Sequence, residues 1–337
     1  MSALARYFKA QGKKVSGYDK TETALTKQLA TEGITVYYED DEKHIAKEAD
    51  LVVYTPAVPK EHKGLLYYRK NNYTLLKRSD VLGEITKSSF NICIAGTHGK
   101  TTITTMTAHL LRHSGYGCNA FLGGIAANYN SNFWSSEKNV CVAEADEYDR
   151  SFLKLHPDIA VISAMDADHL DIYGTEDAMQ QAFIDFAGQI KKGGTLFSKW
   201  GLKKTTELKA DHHFTYSLQN SNADAYAANI TNREGSYVFD VHTTGGWLKD
   251  VALNMGGLHN IENVVAAIAI AKQLHIEDEK IKAAVAAFKG VKRRFEYIIP
   301  LLNNSGTVYV DDYAHHPAEL EALIEGAKLL FADKKCT

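Results

Sequence analysis

Apolar residues in this chain gather in short runs that stop at turn-forming or acidic residues. The clearest runs are 90–95, 140–144 and 159–163. Each has the length of a strand buried on both faces of a parallel sheet. Two shorter runs, 14–18 and 50–54, mark the first quarter of the chain. Between the runs lie stretches suited to helices: 1–8, 23–32, 43–49 and 103–113. Further on, 261–274 and 277–288 carry apolar faces at helical spacing. Strands that alternate with helices predict an α/β fold built on parallel sheets. The polar stretch 224–250 differs. It alternates weakly and holds the turn signals Asn232-Arg233-Glu234-Gly235 and Thr244-Gly245-Gly246. Antiparallel strands are expected there. Near the end, 296–300 and 307–310 read as strands and 317–331 as an amphipathic helix.

The pattern divides into three segments, 1–88, 89–294 and 295–337, and 337 residues suit two or three domains. The first segment opens in a helix where a doubly wound domain has a strand. The expectation is therefore that the leading strand and its glycine turn lie outside the chain, and that the third segment is only the start of a domain. Composition changes this picture little. Hydrophobic residues are 45% and charged residues 23%, as in globular proteins. A net charge of −3 gives no reason to expect nucleic acid or an anionic membrane as partner. No apolar stretch is long enough to span a bilayer and no secretory signal pattern is read. The four cysteines, Cys93, Cys118, Cys141 and Cys336, have no CxxC spacing. They read as reduced thiols, and the expected location is cytoplasmic.

Chemistry concentrates at the ends of the apolar runs. After 90–95 comes Gly96-Thr97-His98-Gly99-Lys100-Thr101-Thr102, and then a helix. Glycines let backbone N–H groups approach phosphate oxygens, and a helix N-terminus adds positive potential. Lys100 can reach β- and γ-phosphates, and the Thr101 hydroxyl can ligate Mg²⁺. Only two residues separate the glycines, where the general phosphate-loop pattern has four. An ordinary strand-to-helix turn is the plain alternative.

The run 140–144 ends in Glu144, with Asp146, Glu147 and Asp149 close behind. The run 159–163 leads to Asp166-Ala167-Asp168-His169-Leu170-Asp171. Ends of parallel strands form the ligand crevice of such sheets, so the phosphate loop, Glu144 and His169 should share it. Glu144 suits Mg²⁺ and His169 is a softer ligand than that ion favours. A solvated acid and a helix-start histidine are the respective alternatives. Asn260 and Asn263 stand three apart on one helix face, where they could read an adenine edge or where Asn260 could cap the helix. Arg294 sits at a segment junction. Asp311-Asp312-Tyr313-Ala314-His315-His316-Pro317 crowds polar groups into one strand-to-helix turn. Asp19, at a strand end, has the position of a ribose-binding acid.

Taken in order, these motifs, with His259-Asn260-Ile261-Glu262-Asn263 and Gly290-Val291-Lys292-Arg293-Arg294-Phe295, resemble the Mur ligase family over almost the whole chain. Asp146-Glu147-Tyr148-Asp149-Arg150-Ser151-Phe152 is most similar to the branch that uses L-alanine. The resemblance implies three domains: a Rossmann-like UDP-binding domain (1–88), a central P-loop ATPase domain (89–294) and the start of a Rossmann-like amino-acid domain (295–337). It implies an ATP-dependent ligase of cell-wall precursor synthesis that joins L-alanine to UDP-N-acetylmuramate through an acyl phosphate.

By position, the resemblance assigns ATP to Gly96, Thr97, His98, Gly99, Lys100, Thr101, Thr102, Asn260, Asn263, Arg294 and Asp312. Magnesium falls to Thr101, Glu144 and His169, with Lys100, Glu144 and His169 as catalytic residues. Asp19 and Thr55 would lie near UDP, and Tyr313 and His315 near alanine. Two alternatives stand beside it: a ligase of the same fold that attaches a recycled tripeptide, and a chain that binds ATP without turnover.

Overall fold

A computed structural model of the chain describes residues 1–233, 236–298, 307–314, 317–331 and 335. The first segment comprises α1 (Ser2–Ala10), β1 (Ser16–Tyr18), α2 (Ala24–Thr31), β2 (Thr35–Tyr37), β3 (Val52–Tyr54), α3 (Lys63–Lys70), β4 (Leu75–Lys77) and α4 (Arg78–Lys87). Its strands pair in parallel as β1–β2 and β3–β4. They form two separate two-stranded sheets rather than one. The expected helix over 43–49 is absent: Glu42–His44 makes a single 3₁₀ turn. So short a stretch cannot repay helix nucleation on its own. The Tyr68 hydroxyl takes up the Ala46 N–H at 2.9 Å, and Tyr37 stacks on His44.

The central segment begins with β5 (Phe90–Ala95), α5 (Lys100–His113), β6 (Asn119–Ala126), β7 (Ser131–Trp134), β8 (Val140–Glu144) and β9 (Ile159–Ile162). After these come α6 (Leu170–Tyr173), α7 (Glu176–Ala187), β10 (Thr195–Lys199), β11 (His212–Ser217), β12 (Ala225–Arg233), β13 (Ser236–Thr243) and β14 (Gly246–Leu253). Two helices, α8 (Leu258–Gln273) and α9 (Asp278–Ala287), close it. All ten strands join one sheet in the order β14-β13-β12-β11-β10-β9-β5-β8-β6-β7. The sheet is parallel from β12 to β6, and β7, β13 and β14 run antiparallel at its edges. The strands expected in 224–250 therefore extend the main sheet.

Alternation along β5 explains the two cores. Ile92 and Ile94 face α5 and α8, while Cys93 and Ala95 face the layer of α7, Phe152 and Leu155. Both faces are covered, so the strand is apolar throughout. Cys93, Cys118 and Cys141 are buried, and burial pushes the Cys118 thiol up to about 12. Cys336 lies outside the described residues.

In the last segment β15 (Glu296–Tyr297) pairs antiparallel with β16 (Val310–Asp311), and α10 (Pro317–Leu330) follows. The strand expected over 307–310 is shorter: it begins only at Val310, the first residue with a partner on β15. The expected strand 296–300 runs past the described residues at its end. No helix among the described residues is long and apolar enough to cross a membrane.

Candidate active site

β5 lies between β9 and β8, and the chain leaves it in both directions across the sheet. This strand-order reversal opens a crevice at the carboxyl ends of the three strands. The Gly96 loop follows β5, Glu144 ends β8, and His169 follows β9. Registers place Ile94 beside Glu144 and Ala95 beside Ile162, which brings the three strand ends level.

The loop needs its glycines. Gly96 has φ +137°, and a Cβ there would meet the Ser163 hydroxyl oxygen at 2.2 Å. Gly99 has φ +81°, and a Cβ would approach Asn263 Oδ1 at 3.0 Å. Both conformations are ones that L side chains rarely adopt. Ser163 donates to the His98 carbonyl, and the Thr97 N–H donates to Ala164 O at 3.2 Å. The loop is thus tied to the start of the β9–α6 connection. Gly99 caps α5, whose first N–H groups have no acceptor within the helix.

Side chains from all three strand ends converge. Lys100 Nζ donates to the Gly96 carbonyl at 2.7 Å and to Glu147 Oε1 at 2.7 Å. The Thr101 hydroxyl donates to Glu144 Oε1 at 3.1 Å, and the Gly123 N–H donates to Glu144 Oε2 at 3.1 Å. His169, with φ +48°, caps the four-residue α6. Its Nε2 lies 3.9 Å from Glu147 Oε1 and 3.7 Å from Asp168 Oδ2. Burial raises the Glu144 and Glu147 carboxyls above the usual range, against the pull of Lys100.

Glu147 is the site residue that the sequence did not single out. In Asp146, Glu147 and Asp149 it looks like one member of a solvated acid cluster. In the fold it is 1% exposed. Only its tertiary contact with Lys100 distinguishes it. Gly123 and Gly124 were also missed, although two glycines inside a strand signal a close approach.

The residues fit a divalent cation. Glu147, Asp168 and His169 bring ligand atoms within 4.8 Å of one another. Glu147 Oε2 is buried with no partner, an oxygen suited to a cation. Thr101, on the first turn of α5, and Glu144, at the end of β8, lie on the neighbouring elements.

Asn260 and Asn263 are buried on the first turns of α8. Asn260 does not cap that helix; Gly257 does, at φ +84°. Instead Asn260 Nδ2 donates to Gly256 O at 2.6 Å, and Asn263 Nδ2 donates to Asn260 Oδ1 at 3.3 Å. The pair is pinned beside Gly99.

Asp312 is held by the N–H groups of Phe295 and Ala314, each at 2.7 Å. The Arg294 guanidinium lies 5.6 Å from the Tyr313 ring centre. Burial lowers the pKa of His259, the α8 residue next to Asn260, while Asp312 opposes the shift and Arg294 adds to it. The third segment thus reaches the start of α8. His315 lies outside the described residues.

Asp19 and Thr55 stand apart from this group. Asp19 Oδ1 accepts the Thr21 N–H at 3.0 Å, and Thr55 O accepts the Val58 N–H at 3.1 Å, closing a turn. Neither is hydrogen-bonded to the phosphate loop among the described residues.

Comparison with known proteins bears on the whole chain. Residues 94–271 match the Mur ligase middle domain, and residues 1–90 match the Mur ligase family, catalytic domain. The UDP-N-acetylmuramate–L-alanine ligase of Flavobacterium johnsoniae is 46% identical over 99% of this chain and 73% of its own length. That of Parabacteroides distasonis is 47% identical over 100% of this chain and 74% of its own. Among solved structures, the UDP-N-acetylmuramate-alanine ligase MurC of Thermotoga maritima aligns with a TM-score of 0.86 at 27% identity. It covers 99% of this chain and 76% of that one. A murein peptide ligase from Psychrobacter arcticus aligns at 0.75 and 26% identity, over 99% of this chain and 75% of that one.

Proposed function

The chain belongs to the Mur ligase family, and from that membership we propose that it joins L-alanine to the lactyl carboxylate of UDP-N-acetylmuramate at the expense of ATP. The step supplies peptidoglycan precursors in the cytoplasm. The observation that carries the ATP half is the meeting of Lys100, Thr101, Glu144, Glu147 and His169 at three adjacent strand ends. The likeness to alanine ligases over nearly the whole of this chain carries the choice of amino acid.

On this reading residues 1–88 bind the UDP sugar, with Asp19 and Thr55 near it. Residues 89–294 bind ATP, and residues 295–337 begin the amino-acid domain, with Tyr313 and His315 near alanine. Asn260 and Asn263 face adenine. Their mutual hydrogen bond and burial support this, because pre-oriented amides recognise a flat ring at low entropic cost. Arg294 takes phosphate and Asp312 ribose, supported by their nearness to His259 at the start of α8.

A carboxylate and an amine do not condense in neutral water, because the oxygen to be expelled is a poor leaving group. Transfer of the γ-phosphoryl group to a lactyl carboxylate oxygen, with ADP leaving, makes that oxygen the bridge of an acyl phosphate and so part of a good leaving group. The alanine amine then attacks the acyl carbon, inorganic phosphate departs with the former carboxylate oxygen, and the amine loses a proton. Lys100 and the N-terminus of α5 stabilise charge on the transferring group. Thr101, Glu144, Glu147 and His169 would hold Mg²⁺, which draws charge from the phosphate oxygens when bound. The loop glycines let the backbone come close enough to orient the phosphates.

Incubating the protein with UDP-N-acetylmuramate, ATP and Mg²⁺, with either alanine or the tripeptide, tests the reading. Mass spectrometry should find the alanyl product and ADP. The structural likeness to murein peptide ligases is what keeps the tripeptide as a second acceptor. Product with tripeptide alone would exchange one reading for the other.

A further inference from the structure

Lys100 has two jobs that conflict. To serve the transferring phosphoryl group its ammonium must point at phosphate. In the structure it is held by the Gly96 carbonyl and by Glu147 Oε1, each at 2.7 Å. The Glu147 backbone cannot follow it. The Tyr173 hydroxyl donates to the Glu147 carbonyl at 2.6 Å, and the Arg150 N–H donates to the same oxygen at 2.9 Å. Two successive left-handed residues, Asp149 and Arg150 at φ +53°, fix the turn that follows. The Arg150 guanidinium rests over the Tyr173 ring at 5.1 Å. With the backbone so held, the Glu147 carboxylate is buried.

A buried carboxylate that loses its counter-ion is strongly disfavoured. Glu147 already has one oxygen, Oε2, without a partner. If Lys100 departs, the second loses its ammonium as well. His169 Nε2, at 3.9 Å, is too far to replace that contact, and the like charges of Asp146 and of Asp168, whose ligand atom lies within 4.8 Å, disfavour the bare carboxylate further. A hard divalent cation satisfies both oxygens, and the surrounding ligand atoms are already gathered for one.

Resting on the ATP-site reading above, we infer that Glu147 is a positioning residue that exchanges cations: it holds the Lys100 ammonium and releases it to phosphate only as a divalent cation takes over the carboxylate. Glu147 thereby couples nucleotide binding to magnesium binding. ATP without metal strands a buried charge, and ATP with metal does not. Coupling of this kind is reciprocal, since each ligand strengthens the other by the same factor.

Calorimetric titration of ATP into the full chain, once with EDTA and once with saturating Mg²⁺, measures that factor. Glu147→Gln keeps shape and removes charge. Its metal-free ATP affinity should rise and its magnesium factor should fall about tenfold relative to the unaltered protein. Glu147→Asp, which retains the charge, should restore part of the factor. An unchanged factor in Glu147→Gln overturns the inference while leaving the ATP site intact. Failure of the unaltered protein to bind ATP in either condition overturns the site reading, and the inference with it. Should Glu147→Gln not fold, a crystal structure of the unaltered chain with Mg²⁺ and a non-hydrolysable ATP analogue decides. Lys100 Nζ should lie beyond ~4 Å from Glu147, outside ion-pair range. A retained ion pair overturns the inference.

Discussion

Gly123 on β6 and Glu144 on β8 stand so close that a Cβ on Gly123 would lie 2.2 Å from Glu144 Oε2. The Gly123 N–H donates to that oxygen at 3.1 Å, while Glu144 Oε1 accepts from Thr101. The glycine is therefore a mould for the carboxylate. Gly123→Ala must push Glu144 aside. Displacement of a reacting constellation by about 1 Å can cost on the order of 10²-fold in rate. The variant should lose roughly that much kcat and need more Mg²⁺. Gly123 itself is exposed, so its melting temperature should change little. A variant with normal kcat and normal magnesium dependence would remove Glu144 from the metal site.

Lys100→Ala should leave a folded protein with kcat lower by about 10²-fold or more, the usual cost of losing charge stabilisation at a developing anion. Lys100 sits on the first turn of α5, where alanine is a good helix former. Circular dichroism should show the fold retained, while melting should come several degrees lower, because Glu147 is left buried without its ammonium. Turnover close to that of the unaltered protein would sink the assignment of the phosphate loop.

Glu144→Ala and His169→Ala should raise the Mg²⁺ concentration needed for half-maximal rate more than they lower stability. Both side chains sit at the rim of the crevice rather than inside either apolar core. Removing Glu144 also deletes a carboxylate that burial holds above its usual pKa, so its loss relieves a desolvation penalty. Melting many degrees lower with no change in magnesium dependence would mark them as structural residues.

How much of this was legible beforehand depends on the range of the contact. β5, β8 and β9 were readable because strands covered on both faces are continuously apolar. The crevice was readable because parallel strands end on one edge. Glu147 was not, since its meaning comes from Lys100, 47 positions away. The helix expected over 43–49 failed for a related reason: Tyr68, on α3, recruits the Ala46 N–H. Antiparallel strands were legible in 224–250, yet their place on the main sheet follows from the Tyr216–Ala225 and Ser217–Tyr226 pairing, which no local pattern encodes.

His109 gives a prediction about stability rather than chemistry. It lies inside α5 at 2% exposure. Its Nε2 is 2.9 Å from the Ala284 carbonyl, which can only accept, so Nε2 carries the proton. Nδ1 then accepts from the Tyr129 hydroxyl at 2.8 Å. This neutral imidazole ties α5 to α9 and to the β6–β7 connection. Burial is the main force lowering its pKa, from 6.5 to about 4. The unfolded chain therefore binds a proton where the folded chain refuses one. The contribution of His109 is fully present above pH 6.5 and declines as pH falls toward about 4. Between pH 7.5 and 5 the loss should be about 2 kcal/mol for this group alone. His109→Gln should be less stable at pH 7.5, because the amide cannot fill the ring's place. It should also lack this acid-dependent loss, so the stability gap between the two proteins narrows at pH 5. Urea unfolding of both proteins at the two pH values measures the gap. A gap that stays constant would show that the folded chain binds a proton at His109 as readily as the unfolded chain does.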